Sequence, residues 1–187
     1  TKQVLLDGTA DCVLTCGLTG EVMLLAQGHE LGEATQRLIH DKGLAPYIDQ
    51  ARDLLGGYEE RISNPSDFAV DRGERFELGL EDLPSEELLV DIGAETIERY
   101  RGVIQSAATL FVNGPAGVYE KPASALGTRE LWTAVADAPG YSVIGGGDSV
   151  AAARRFGVQD CMGYVCTSGG GMVRFLSGQP LPVVEAL

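Results

Sequence analysis

YSVIGGGDSVAAA, residues 141–153, decides how the rest of the chain is read. Tyr141 to Ile144 is a short apolar run rich in β-branched residues, the mark of a buried strand. Gly145, Gly146 and Gly147 follow at once, and Asp148 or Ser149 then stands where a helix N-cap belongs, with a helix continuing from Val150 to Phe156. Strand, glycine turn and helix start is the layout of an anion site. Three missing side chains let a ligand approach the backbone, and the first free N–H groups and the positive end of the helix dipole point at it. Asp148 is the discordant member, because a carboxylate repels phosphate. A Mg²⁺ ion held between the two removes the conflict. The plain alternative is a tight βα turn with an Asp cap.

Working outward, the same rhythm recurs. Ala94 to Ala107 has helical spacing, Thr109 to Val112 is a strand, and the loop from Asn113 to Glu120 follows it. A helix from Ser124 to Ala138 leads into the opening stretch. Met162 to Val165 is the last strand, and Thr167 to Gly171 turns into a helix from Met172 to Leu176. Repeated βα units of this length imply an α/β fold with a mostly parallel sheet covered on both faces. Ligands bind outside the carboxyl ends of such strands, so the loops 113–120, 145–149 and 167–171 are expected on one rim. Upstream, strand-like Cys12 to Cys16 precedes a helix that Thr19 caps and Gly28 closes. Two more helices are expected over 32–41 and 45–55, the second ended by Gly56-Gly57. A β-hairpin excursion occupies residues 66–80, turning at Asp71-Arg72-Gly73, with Pro65 keeping it at a sheet edge.

The chain has 187 residues, 44% of them hydrophobic and 22% charged, enough for one domain with a full core. The net charge of −13 argues against nucleic acid and anionic membrane as partners. No apolar run reaches the roughly 18 residues of a membrane span. Cys12, Cys16, Cys161 and Cys166 form no C-x-x-C pair, and each is expected as a reduced thiol in or beside a buried strand of a cytoplasmic protein. His29 and His40 have no evident partner. There is no Walker lysine motif, no H-E-x-x-H and no G-x-G-x-x-G. A loop built like 113–120 can hold a ribose and base, with Glu120 accepting from sugar hydroxyls and Pro115 and Val118 forming an apolar wall; on these residues alone, a plain turn with a solvated Glu is the simpler reading. Two glycine-rich helix starts facing each other suit a polyphosphate or a phosphoryl group in transfer.

The segments NGPAGVYE (113–120), SVIGGGDSVAA (142–152), TSGGG (167–171) and LPVVEAL (181–187), in this order, resemble the C-terminal, nucleotide-binding domain of phosphoglycerate kinases, in an archaeal style. VLTCGLTGEVMLLAQGHELG (13–32) and residues 67–100 are similar to that family too, so the resemblance runs through essentially the whole chain. It implies a Rossmann-like three-layer αβα domain and phosphoryl transfer between 1,3-bisphosphoglycerate and ADP, giving 3-phosphoglycerate and ATP with magnesium. By position, it implies that Gly17, Asn113, Pro115, Val118 and Glu120 line the adenosine site. Gly145, Gly146, Gly147 and Ser149 would hold the phosphates of Mg-ADP or Mg-ATP, and Asp148 would contact the metal. Gly147 and Gly170 would offer backbone N–H groups to the phosphoryl group in flight.

Departures from the family pattern are specific. Cys16 and Ser168 stand where glycines are usual, Ser149 replaces a Thr, and Lys121 to Ala125 lacks a common Phe. The family's substrate domain, which binds 3-phosphoglycerate, and the lysine-bearing segment that opens the nucleotide domain have no counterpart in residues 1–187. The expectation is a nucleotide half one βα unit short, with an open sheet edge, inactive alone and monomeric in full-length form. The alternatives are a non-catalytic module of the same fold and a doubly wound domain for another phosphorylated ligand.

Overall fold

A computed structural model describes residues 2–181 and residue 186. Most of the LPVVEAL segment therefore lies outside the described residues. The chain begins with helix α1 (Lys2–Leu6), the short strand β1 (Val13–Leu14), and helices α2 (Gly17–Gln27), α3 (Glu33–Asp41) and α4 (Tyr47–Tyr58). Strands β2 (Ile62–Ser63), β3 (Asp67–Asp71), β4 (Arg75–Gly79) and β5 (Asp91–Ile92) follow. The second half alternates α5 (Ala94–Ser106), β6 (Thr109–Asn113), α6 (Leu126–Asp137), β7 (Tyr141–Gly145), α7 (Gly147–Arg155), β8 (Tyr164–Cys166) and α8 (Gly169–Leu176).

The parallel strands form two ladders rather than one continuous sheet: β1 with β2, and β6-β7-β8 in that order. The hairpin β3–β4 is antiparallel, and β3 also pairs with β5. Two apolar cores result. One packs α2, α4 and the hairpin around Leu24, Leu54, Leu55, Phe68 and Val70. The other sets α5, α6 and α7, through Tyr100, Trp132 and Val150, against Leu110, Val112 and Ile144 of the parallel ladder. Strand alternation sends the next residues to the opposite face. There Met172 of α8 and the Phe111 ring both lie over Gly145, while Tyr141 and Tyr164 remain more than half exposed.

Several local expectations are corrected. Gly56 and Gly57 lie inside α4, because Leu54 and Leu55 are anchored in the first core and the helix packs on α2. Packing there overrides two glycine penalties of about 1 kcal/mol each. No Thr19 side chain caps α2; Cys16 holds the N-cap position, and Gly28 ends the helix at φ 95°. α7 starts at Gly147 with Gly146 as N-cap, ahead of the expected Asp148 or Ser149 cap, and α8 starts at Gly169 rather than Met172. Cys12 and Cys161 are exposed, since the ladders beside them are shorter than their apolar runs suggested.

Helix α5 is capped from a distance. The buried Asp67 carboxylate, on β3, accepts the N–H groups of Glu95 at 2.9 Å and Thr96 at 2.8 Å. Gly93 has no room for a side chain, because a Cβ would stand 2.1 Å from Asp67 Oδ2. Asp67→Ala leaves those donors unpaired and is expected to cost about 2 kcal/mol. Urea unfolding reads this directly, and an unchanged midpoint would refute the cap.

Candidate functional site

The ladder β6-β7-β8 ends on one rung, where Asn113 and Cys166 both pair with Gly145. Three loops therefore leave the sheet side by side. Gly146, at φ 97°, donates its N–H to the Cys166 carbonyl at 3.0 Å. A Cβ on Gly169 would stand only 2.6 Å from Gly146 Cα, so the backbones of two loops touch. Each loop then enters a helix. The first helical bond of α7 runs from Val150 N to Gly146 O, and that of α8 from Met172 N to Ser168 O. Residues 147–149 and 169–171 thus have no intrahelical acceptor for their N–H groups. Among the described residues, nothing beyond the local helix backbone lies within 4 Å of where a Cβ would stand on Gly147 or Gly170. Two positive helix ends converge on a rim that a ligand can approach.

Asp148 is exposed on the first turn of α7, and with burial and Glu120 its charge helps push the Tyr119 hydroxyl above its usual range. Asn113 Oδ1 lies 3.4 Å from the Cβ position of Gly146 and 3.7 Å from those of Gly145 and Gly169, so this amide faces the glycine loops. Ser149 is buried, and its hydroxyl accepts the Gly114 N–H at 2.7 Å. That contact ties loop 113–120 to α7, and the hydroxyl keeps its own O–H to donate. Trp132, the sole tryptophan, donates its indole N–H to the Ser149 carbonyl at 3.2 Å.

Loop 113–120 is braced from behind. Ala116 N–H donates to Thr128 Oγ1 at 3.1 Å, and Val118 N–H to the Val90 carbonyl at 2.8 Å. Gly17, at the start of α2, abuts the loop, its Cβ position 3.5 Å from Ala116 O and 3.6 Å from Pro115 O. Val118 and Glu120 are exposed, and Arg155 donates to the Glu120 carbonyl at 3.2 Å. Next to Gly17, burial and the Asp91 carboxylate push the Cys16 thiol up to about 12, so it stays protonated at neutral pH. The fold thus brings Gly17 and Pro115 together, and separately gathers Asn113, Gly145, Gly146, Gly147 and Ser149 with Gly169 and Gly170.

Sequence reasoning missed Gly169 as the contact point of the two loops, and Thr128, Trp132 and Asp91 as braces. The Gly-Gly-Gly run 169–171 and the Gly127-Thr128 pair were the available signals. A cavity of about 340 Å³ lies elsewhere, lined by Gln27, His29, Asn64 and Arg99 among others. Its Asn64 already pairs with Thr15 and Gln27, and its Arg99 with Ser63 and the Asn64 carbonyl. Among the described residues, no helix is long and apolar enough to cross a membrane.

Comparison with known proteins gives one result. The family model described as phosphoglycerate kinase matches residues 3–179. The phosphoglycerate kinase of Methanopyrus kandleri is 43% identical over 176 residues, which is 94% of this chain and 43% of that protein. The crystal structure of the Pyrococcus horikoshii phosphoglycerate kinase superposes with a TM-score of 0.92 at 39% identity, covering 100% of this chain and 47% of that one. The enzyme structure from Coxiella burnetii gives a TM-score of 0.86 at 30% identity over 98% of this chain and 47% of that one. The chain spans less than half the length of the relatives it matches.

Proposed function

The chain belongs to the phosphoglycerate kinase family, and on that premise we propose that it supplies the Mg-nucleotide half of a cytoplasmic, archaeal-type enzyme moving a phosphoryl group between 1,3-bisphosphoglycerate and ADP. The observation that carries this reading is the convergence of two free helix starts, at Gly147 and Gly169, beside a braced loop that can receive a nucleoside. Phosphoryl transfer asks the protein mainly for positioning and for donors aimed at equatorial oxygens. The N–H groups of Gly147 and Gly170 are such donors, fixed by helix geometry before a substrate arrives. Gly17, Pro115 and Val118 would form the apolar wall for the base, and Glu120 would accept from the ribose. Asn113, facing the glycine loops, would reach a phosphate oxygen.

The residues present fit a magnesium ion that arrives with the nucleotide. Asp148 supplies one exposed, hard carboxylate oxygen donor on the turn whose N–H groups are free, and Mg²⁺ is commonly held by one or two carboxylates plus phosphates. Among the described residues no group of three His, Cys, Asp or Glu would hold a metal without the nucleotide. Bound there, the ion would neutralise phosphate charge. 3-Phosphoglycerate and 1,3-bisphosphoglycerate would engage a partner domain of the full-length protein, which we take to be monomeric.

A second reading keeps nucleotide binding without turnover. It rests on Cys16, beside Gly17 at the base wall, and on Ser168, whose hydroxyl lies 2.6 Å from the Cβ position of Gly171.

Calorimetric titration tests the site. Asp148→Ala is expected to weaken Mg-ADP binding while leaving metal-free ADP as tight or tighter, because the repelling carboxylate is gone. Equal effects on both ligands would remove Asp148 from the metal. Binding in the full-length protein without turnover would select the second reading.

A further inference from the structure

Gly117 and Gly127 both have ordinary backbone angles, so neither is glycine for the sake of a left-handed turn. Gly127 has no room for a side chain because of the Asp91 carboxylate, and Gly117 because of the Val90–Asp91 backbone that carries it. A Cβ on Gly127 would stand 2.3 Å from Asp91 Oδ1, and one on Gly117 would stand 2.9 Å from the same oxygen and 2.7 Å from Asp91 Cα. The Asp91 carboxylate is fully buried, and its charge is met from three directions. Oδ1 accepts the Ile92 N–H at 3.0 Å, Oδ2 accepts the Gly127 N–H at 2.8 Å, and Arg75 Nη1 donates to Oδ2 at 2.8 Å.

Arg75 comes from the β3–β4 hairpin and gathers the same neighbourhood. Its Nη2 donates to the Ile92 carbonyl at 2.6 Å, and its Nη1 also reaches the Ala123 carbonyl at 3.5 Å. The anchors of the second half of loop 113–120 are chain neighbours of this pair and of its partners. Val118 N–H is held by Val90, next to Asp91, Val118 O is held by the Ser124 hydroxyl, next to Ala123, and Gly117 rests on Asp91 itself. Removing two charges from water adds little or nothing to net stability compared with apolar packing of the same volume. What the pair does supply is a fixed distance between the hairpin, β5, the amino end of α6 and the loop.

We propose that Arg75 and Asp91 are positioning residues for the nucleoside-binding loop 113–120, acting on the adenosine part of the ligand and not on its phosphates. The proposal rests on the nucleotide reading given above. The phosphate donors at 147–149 and 169–171 are held by the Gly146–Cys166 bond and the Gly146–Gly169 packing, and the loop joins α7 at its first half, where Gly114 N–H donates to the Ser149 hydroxyl, away from the stretch that rests on Val90 and Asp91. Disturbing the pair therefore separates two ligands that share the phosphate loops but differ in the nucleoside.

The experiment titrates this chain with Mg-ADP and with Mg-pyrophosphate, following Trp132 fluorescence and heat, for wild type, Asp91→Asn and Gly117→Ala. Asp91→Asn keeps the shape and removes the charge that Arg75 meets. Gly117→Ala lifts the loop from the Val90–Asp91 backbone while keeping both charges, since its Cβ would stand 2.3 Å from Val90 O, and it serves if Asp91→Asn fails to fold. The expected result is Mg-ADP weakened about tenfold with Mg-pyrophosphate within about twofold of wild type. Folded variants that lose both ligands equally, or that keep Mg-ADP affinity, overturn the proposal while the nucleotide site stands. A wild-type chain that binds neither ligand overturns the nucleotide site and this proposal with it.

Discussion

Gly169→Ala is expected to weaken Mg-ADP binding about a hundredfold, the penalty typical of a displacement near 1 Å at a positioned site. The added Cβ would stand 2.6 Å from Gly146 Cα and 3.2 Å from Gly146 N. Both atoms are backbone, so no side chain can swing aside, and the two loops must separate. Gly169 carries no positive φ, and Ala is the better helix former, so local propensity does not oppose the change. The loss would come from moving one set of free N–H groups away from the other. Gly170→Ala, at a position where no described residue beyond the local helix backbone comes within 4 Å, keeps the loops together and isolates the effect of a side chain on ligand approach. Isothermal titration with a melting curve for each variant checks this. Affinity within about threefold of wild type in Gly169→Ala would show that the loop contact does not set the phosphate site.

Glu21→Gln is expected to stabilise the protein at pH 8 and to leave it nearly unchanged near pH 4.5. Glu21 is 5% exposed on α2, and its Oε2 has no hydrogen-bond partner among the described residues. Burial pushes its carboxyl up to about 7, from an ordinary value of 4.5. Between those two values the unfolded chain has lost a proton that the folded chain keeps, so stability falls as pH rises through that window and levels off above it. At about 1.4 kcal/mol per pH unit, the burden above pH 7 is about 3 kcal/mol. Gln is the neutral isostere and never carries the charge. Urea midpoints for both proteins across pH 4.5 to 8 read the difference, and parallel pH profiles would show that Glu21 is solvated or paired in solution.

Much of the second half of the chain was legible because short-range signals agree there. The β-branched run Tyr141 to Ile144, the glycines after it and the alanine-rich stretch beyond it can only be a strand, a turn and a helix in that order. The first half was less legible. Gly56-Gly57 reads as a stop, yet the flanking leucines hold α4 together through both glycines. Cys12 and Cys161 read as buried and are exposed, because an apolar residue beside a strand is covered only if the strand reaches it.

At the site, residue type determined which chemistry is available, and contact across the fold decided how each group is used. The sequence by itself determined three glycine-bearing loops after strands and an acidic residue on a helix start, since these depend on φ freedom, side-chain size and local periodicity. Only the tertiary structure decided that the Ser149 hydroxyl braces a loop, that Asn113 faces the glycines, that Gly169 touches Gly146, and that Gly117 and Gly127 press on Val90 and Asp91. Those outcomes depend on pairs 23 to 56 residues apart in the chain, and local sequence carries no record of which distant backbone will be folded against it.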